Sequence, residues 1–188
     1  MIELLIVTAV SVVLLAGFTS FYLSEQRTFR HHQLEIETSQ ELRTALDQMS
    51  RDIRLAGRNF GALLYPFTFT GFTFANATRV DLRFDTNDDQ DYSDAGETRE
   101  YRTNSGNLES CDPGNLNCEM LARNATLALT YVDCDGNPTV PNADTTELAK
   151  VARVDISLTA TRTKVGGLPV SRSEADSVQV RNSCPKPD

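Results

Sequence analysis

The sequence predicts an α+β protein: a long N-terminal α-helix, hydrophobic in its first half, packed against an antiparallel β-sheet head. Three observations predict it. Residues 4–23 form an apolar run with no charged side chain. Residues 24–56 contain neither Gly nor Pro and repeat their apolar positions at helical spacing. Beyond residue 66, short segments alternate apolar and polar residues with the period of a strand.

The apolar run LLIVTAVSVVLLAGFTSFYL would make about 30 Å of helix, the thickness of a bilayer core. It is too long for the apolar region of a signal peptide, and no small-residue cleavage pattern follows it. Glu3 stands just before it, where a carboxylate at the edge of a membrane segment is costly unless paired. Gly17 is the one weak point in the run. After it, Leu34, Leu42, Leu46, Met49, Ile53 and Ala56 fall on one helical face, with Glu35, Glu41, Arg43, Asp47, Arg51 and Asp52 elsewhere. Gly57 is placed to end the helix at C′. The expected organisation is therefore a membrane or filament-core segment at 1–23, an amphipathic continuation at 24–57 and a β-rich head at 58–188.

Within the head, Phe67, Phe69, Phe72 and Phe74 mark a Thr/Phe-rich run broken at Gly71. Val80, Leu82 and Phe84 alternate with Arg79, Asp81 and Arg83. A short polar strand is expected over 98–102, followed by alternation at Leu127, Leu129 and Tyr131 and a turn at Asp135-Gly136. Residues 135–144 read as a loop. Val154, Ile156, Leu158 and Ala160 give the clearest strand, Gly166-Gly167 a turn, and Val178 and Val180 a last strand.

Charge and cysteine content narrow the class. The chain of 188 residues carries 26 acidic and 18 basic side chains, a net charge of −8, which argues against a broad basic surface for nucleic acid. Cys111, Cys118, Cys134 and Cys184 form no C-x-x-C pair, so neither a zinc ribbon nor a thioredoxin-type site is indicated. An even number beyond the apolar segment suggests two disulfides in an oxidising compartment; four reduced thiols in a cytosolic protein are the alternative. Pro113-Gly114 can fold the chain back between Cys111 and Cys118. That predicts Cys111–Cys118, leaves Cys134–Cys184, and keeps the other two connectivities as alternatives.

The acid is concentrated in DTNDDQDYSDAGE, residues 85–97. Asp85, Asn87, Asp89 and Asp91 offer oxygen ligands at alternate positions, with Glu97 as a distal one, the arrangement that wraps a Ca²⁺ ion. The match to an EF-hand loop is incomplete: Gln90 takes the place of the sixth-position glycine, and Glu97 falls one residue late. The competing reading is a solvated acidic loop between two strands. No catalytic set is visible. His31 and His32 are adjacent on a helix exterior and point apart, no serine lies in G-x-S-x-G, and there is no phosphate-binding glycine loop. Asn76-Ala77-Thr78 and Asn124-Ala125-Thr126 fit the short N-glycosylation pattern.

Several of these segments resemble one family. Met1-Ile2-Glu3-Leu4-Leu5-Ile6-Val7 resembles the start of the prepilin-type N-terminal motif, GFTLIELLIV, with the Gly-Phe-Thr part absent and Met1 in the place of a leucine. Leu46–Gly57 resembles the helix end of PilW-type minor pilins and J-type pseudopilins. Leu129–Gly136, Val151–Arg162 and Val178–Asn182 are similar to their later strands. The resemblance implies a non-enzymatic subunit of a type IV pilus or pseudopilus, of the minor or initiating kind. It implies a prepilin peptidase and assembly machinery as partners, the inner membrane before assembly, and an extracellular filament of pilin subunits afterwards. It gives Glu3 the role of pairing with a neighbouring subunit's terminal ammonium. A single-pass, membrane-anchored binding module or receptor, with or without Ca²⁺ dependence, is the alternative.

Overall fold

A computed structural model describes residues 2–57, 71–87, 94, 96–112, 117–163 and 169–180. Helix α1 runs without interruption over Ile2–Leu55. The chain divides into two compact units, Met1–Glu37 and Thr38–Asp188. The second unit contains the last part of α1 and all strands among the described residues.

The predicted stop is present. Ala56 N–H still donates to the Asp52 carbonyl at 2.9 Å, and Gly57 then turns into the left-handed region at φ 73°. Only glycine adopts that conformation without penalty. Its N–H donates to the carbonyl of Arg83, and Arg83 N–H donates to the carbonyl of Gly71. Helix end, Gly71 and the end of the second strand are thus tied together through backbone.

Among the described residues nine strands divide between two antiparallel sheets, a division the alternation pattern does not contain. The first has the order β1-β2-β3-β4-β5: β1 Phe72–Ala75, β2 Arg79–Arg83, β3 Thr98–Asn104, β4 Asn107–Asp112 and β5 Asn117–Ala122. The second has the order β7-β6-β8-β9: β6 Ala125–Asp133, β7 Pro138–Thr139, β8 Val151–Arg162 and β9 Val170–Gln179. A four-residue helix, α2, covers Thr145–Leu148 and is N-capped by the Asp144 carboxylate. The strands expected at 79–84, 98–102, 127–131 and 154–160 are all found, and Asp135-Gly136 turns with Gly136 at φ 85°. Strands β4, β5 and β7 and helix α2 were not anticipated. Phe67, Phe69 and Gly166-Gly167 lie outside the described residues.

Alternation does the work expected of it. Leu127, Leu129 and Tyr131 on β6 and Val154, Ile156, Leu158 and Ala160 on β8 all turn into the core, and their neighbours face out. Of the predicted helical stripe, Leu42, Leu46, Met49, Ile53 and Ala56 are buried in the same core, joined by Ala45, whereas Leu34 is only half-buried. Burying each of the larger side chains stabilises the head by about 1.5–3 kcal/mol.

Polar contacts fasten the helix to both sheets. Glu41 pairs with Arg162 on β8. Arg43 meets Glu174 on β9 at 3.2 Å, and the Ser50 hydroxyl donates to Asp176 at 2.6 Å. On the other sheet, the Tyr101 hydroxyl donates to Asp52 Oδ2 at 2.5 Å and Arg99 Nη1 reaches the same oxygen at 3.2 Å. Tyr101 is fully buried. Burial, then the neighbouring Asp52 charge, raises its pKa well above the ordinary tyrosine value; burial, then Asp81, does the same for Tyr131.

That gives an expected pH dependence. A folded-state pKa above the unfolded value of 10.0 means the contribution is whole below pH 10 and is lost as the pH climbs from there toward the folded value. Urea unfolding should therefore show stability falling above about pH 10, by up to ~1.4 kcal/mol per pH unit for each tyrosine. Tyr101→Phe should remove its share of that slope. An unchanged slope in that variant would refute the assignment.

One predicted disulfide is present. Cys111 and Cys118 are register partners across β4 and β5, with Cα atoms 4.0 Å apart. The bridge closes a short loop, so the chain-entropy model gives it about 2–3 kcal/mol. Cys134 is also disulfide-bonded. Its predicted partner, Cys184, lies outside the described residues.

Candidate functional sites

The first site is the N-terminal part of α1. An 18-residue window of it has a mean hydropathy of 2.3 and none of that window is buried. By length and composition it is long and apolar enough to cross a membrane. Its hydroxyls return to the helix: Ser11 donates to the carbonyl of Val7 at 2.8 Å, and Thr19 to that of Leu15 at 3.0 Å. Such bonds let hydroxyl groups sit in an apolar medium without an unmet donor. Glu3 lies in the first turn and is exposed. There the helix dipole favours a carboxylate. No cavity-forming neighbour lies within 4 Å of a Cβ built at Gly17, and the helix passes through it unbroken.

Further along the same unit, the sequence reading leaves His31 and His32 without a partner. The structure supplies one. Glu35 stands one turn on, its oxygens 3.7 Å from His31 Nδ1 and 3.3 Å from His32 Nδ1. Helical side chains lean toward the N-terminus, so a carboxylate three or four residues later reaches back between two adjacent rings. The spacing i, i+3 and i, i+4 was the available signal.

The second site is the loop joining β2 to β3. Phe84 N–H donates to the Glu97 carbonyl at 2.8 Å, which carries the ladder one step past the strands. Glu97 N–H donates to the Asp94 carbonyl at 3.2 Å. Glu97 Oε1 accepts from the N–H and the hydroxyl of Thr86, both at 2.9 Å. Asn87 Nδ2 donates to Asp94 Oδ2 at 2.9 Å, and Gly96 N–H to Asp112 Oδ2 at 3.2 Å. Asp85 and Glu97 are buried, at 3% and 0% exposure. A cleft of about 270 Å³ opens beside Asp85, lined also by Asp52, Leu55, Phe84, Thr86, Gly96 and Arg99.

Of the sequence-derived oxygen set, Asp85 and Glu97 are the two buried members, one at each strand end of the loop. Asn87 is exposed and tied to Asp94. Asp89 and Asp91 lie outside the described residues. Asp112 was missed, because it arrives from β4 and no local spacing announces it. Of the glycosylation patterns, Asn76 holds its Oδ1 against the N–H of Thr78 at 2.9 Å, and Asn124 is a turn residue at φ 46°.

These features define an α+β protein with a long apolar N-terminal helix and antiparallel sheets, an arrangement compatible with a pilin-like fold. No protein-family model, curated protein or solved structure matches the chain.

Proposed function

We propose that this chain is a non-enzymatic structural subunit of a type IV pilus or related pseudopilus, assembling through its N-terminal helix into an extracellular filament. The observation that carries the reading is a single helix with a wholly exposed apolar first part, a lone carboxylate at residue 3, and a last part buried in a β-rich head. An apolar surface of that extent needs lipid or other helices to cover it. Both covers belong to a pilin's life: the inner membrane before assembly, its neighbours' helices afterwards. The resemblance of residues 1–7 to the prepilin motif, and of Leu46–Gly57 to PilW-type helix ends, supports a minor, initiating subunit. A bound disulfide suits an oxidising exterior.

The test is where the protein goes. An epitope-tagged chain, expressed with a prepilin peptidase and a pilus assembly system, should appear among sheared surface filaments and carry a methylated N-terminus by mass spectrometry. Deleting the peptidase should leave it in the membrane. A chain that stays membrane-bound in both strains overturns the filament reading and leaves a single-pass anchored binding module.

A further inference from the structure

At the neck of the 84–97 loop a carboxylate oxygen has been buried without a donor. Glu97 is fully buried. Thr86 holds its Oε1 through two hydrogen bonds. Its Oε2 is equally inaccessible and accepts none. Among the described residues no Lys, Arg or His pairs with it. A buried carboxylate left in that state is strongly unfavourable unless a counter-charge meets it.

The surroundings sharpen the demand. Asp85, itself buried, immediately precedes the Thr86 that grips Glu97, so both acids sit at the same neck. The Asp94 carbonyl accepts from the Glu97 N–H while its carboxylate accepts from Asn87, and Asp112 Oδ2 accepts from the N–H of Gly96. Two buried acids, Asp85 and Glu97, thus stand where the two strands part, with Asp94 and Asp112 bonded to the adjoining backbone. Negative charges on one neck oppose folding, and a single divalent cation relieves them better than diffuse salt.

We propose that Glu97, through Oε2, and Asp85 bind a Ca²⁺ ion at this neck, with Asp94 and Asp112 adding to the negative field. The donors are all oxygen, which suits a hard cation. Imidazole and thiolate are missing from the set: the nearest cysteine in sequence, Cys111, is held in its disulfide. Ca²⁺ accepts irregular oxygen surroundings, whereas Mg²⁺ demands a near-ideal octahedron, and carboxylates carried on two strand ends are not constrained to the latter. The ion would tie the end of β2 to the start of β3. The proposal does not depend on the filament reading.

The experiment is thermal unfolding of the full chain in detergent micelles, in EDTA, in 10 mM CaCl2, in 10 mM MgCl2 and in NaCl of matched ionic strength. With an affinity of about 10⁻⁴–10⁻³ M, as in extracellular modules, calcium should raise Tm by roughly 5 °C, with a smaller rise in magnesium and none in NaCl. Glu97→Gln keeps the shape and hydrogen-bonding capacity but removes the charge, and it should abolish the calcium response. Glu119→Gln, on exposed β5, should retain it. Should Glu97→Gln fail to fold, Asp85→Asn and calorimetric titration of the wild type with CaCl2 give the same reading: a weakened response in the first, one site per chain in the second. Identical Tm values in EDTA and calcium overturn the proposal. So does a full response in Glu97→Gln.

Discussion

Gly71→Ala is expected to destabilise the head by about 3 kcal/mol or more, lowering Tm by roughly 10 °C. A Cβ built on Gly71 falls 2.2 Å from the backbone nitrogen of Gly57, 2.4 Å from the carbonyl carbon of Ala56 and 2.8 Å from Gly57 Cα. These are main-chain atoms and cannot swing aside like the tip of a lysine. Relief requires the end of α1 to move off β1 and β2, and that movement breaks the hydrogen bonds joining Gly57 to Arg83 and Arg83 to Gly71. It also lifts Ile53 and Ala56 out of the core. Gly57→Ala is the instructive comparison. Its φ of 73° makes alanine unfavourable there by about 1 kcal/mol, through conformation alone. Thermal unfolding of both variants should rank Gly71→Ala well below Gly57→Ala. A Gly71→Ala protein melting within 2 °C of wild type would show that the close approach does not exist.

Glu3→Val should lower filament incorporation at least tenfold while leaving the head folded. In the proposed filament, the Glu3 carboxylate and a neighbour's terminal ammonium would neutralise each other in an apolar core. Removing one member of such a pair leaves the other buried alone, at a cost of about 3–5 kcal/mol. Glu3→Gln should fail almost as badly, since it removes the charge and keeps the size. Glu3→Asp should restore part of the yield. The readout is the sheared surface fraction of tagged protein, with circular dichroism to confirm the head. Wild-type yield from Glu3→Val would sink the assigned role of this residue.

The elements legible in the sequence are those whose burial pattern is local. On β6 and β8 every second residue is apolar and inward, so period-2 alternation finds them. The α1 stripe is found for the same reason at period 3.6. Strand β5 escapes, because Asn117, Cys118, Glu119 and Met120 are all exposed and no face is marked. Strand β9 is longer than expected: between Val170 and Val178 its residues are Ser, Arg, Glu, Ala and Asp, none of them buried. Alternation also says which way a side chain faces but not which strand lies alongside, so the division into two sheets was hidden. The loop shows the same boundary. Asp85 and Glu97 could be read from spacing within one segment, whereas Asp112 depends on the register of β3 with β4.

The polar fasteners along α1 have a mechanical meaning. They are spread from Glu41 to Arg54, over about 20 Å of helix, and they grip β8 and β9 on one sheet and β3 on the other. A pull along the helix axis loads them side by side, in shear, so several must yield together before the helix slides. A pull across the axis would load them one after another, like a zip. The helix is therefore a strong handle in tension and a weak one in peeling, and the rate of forced unfolding should depend on the direction of pull far more than on the stability of the head.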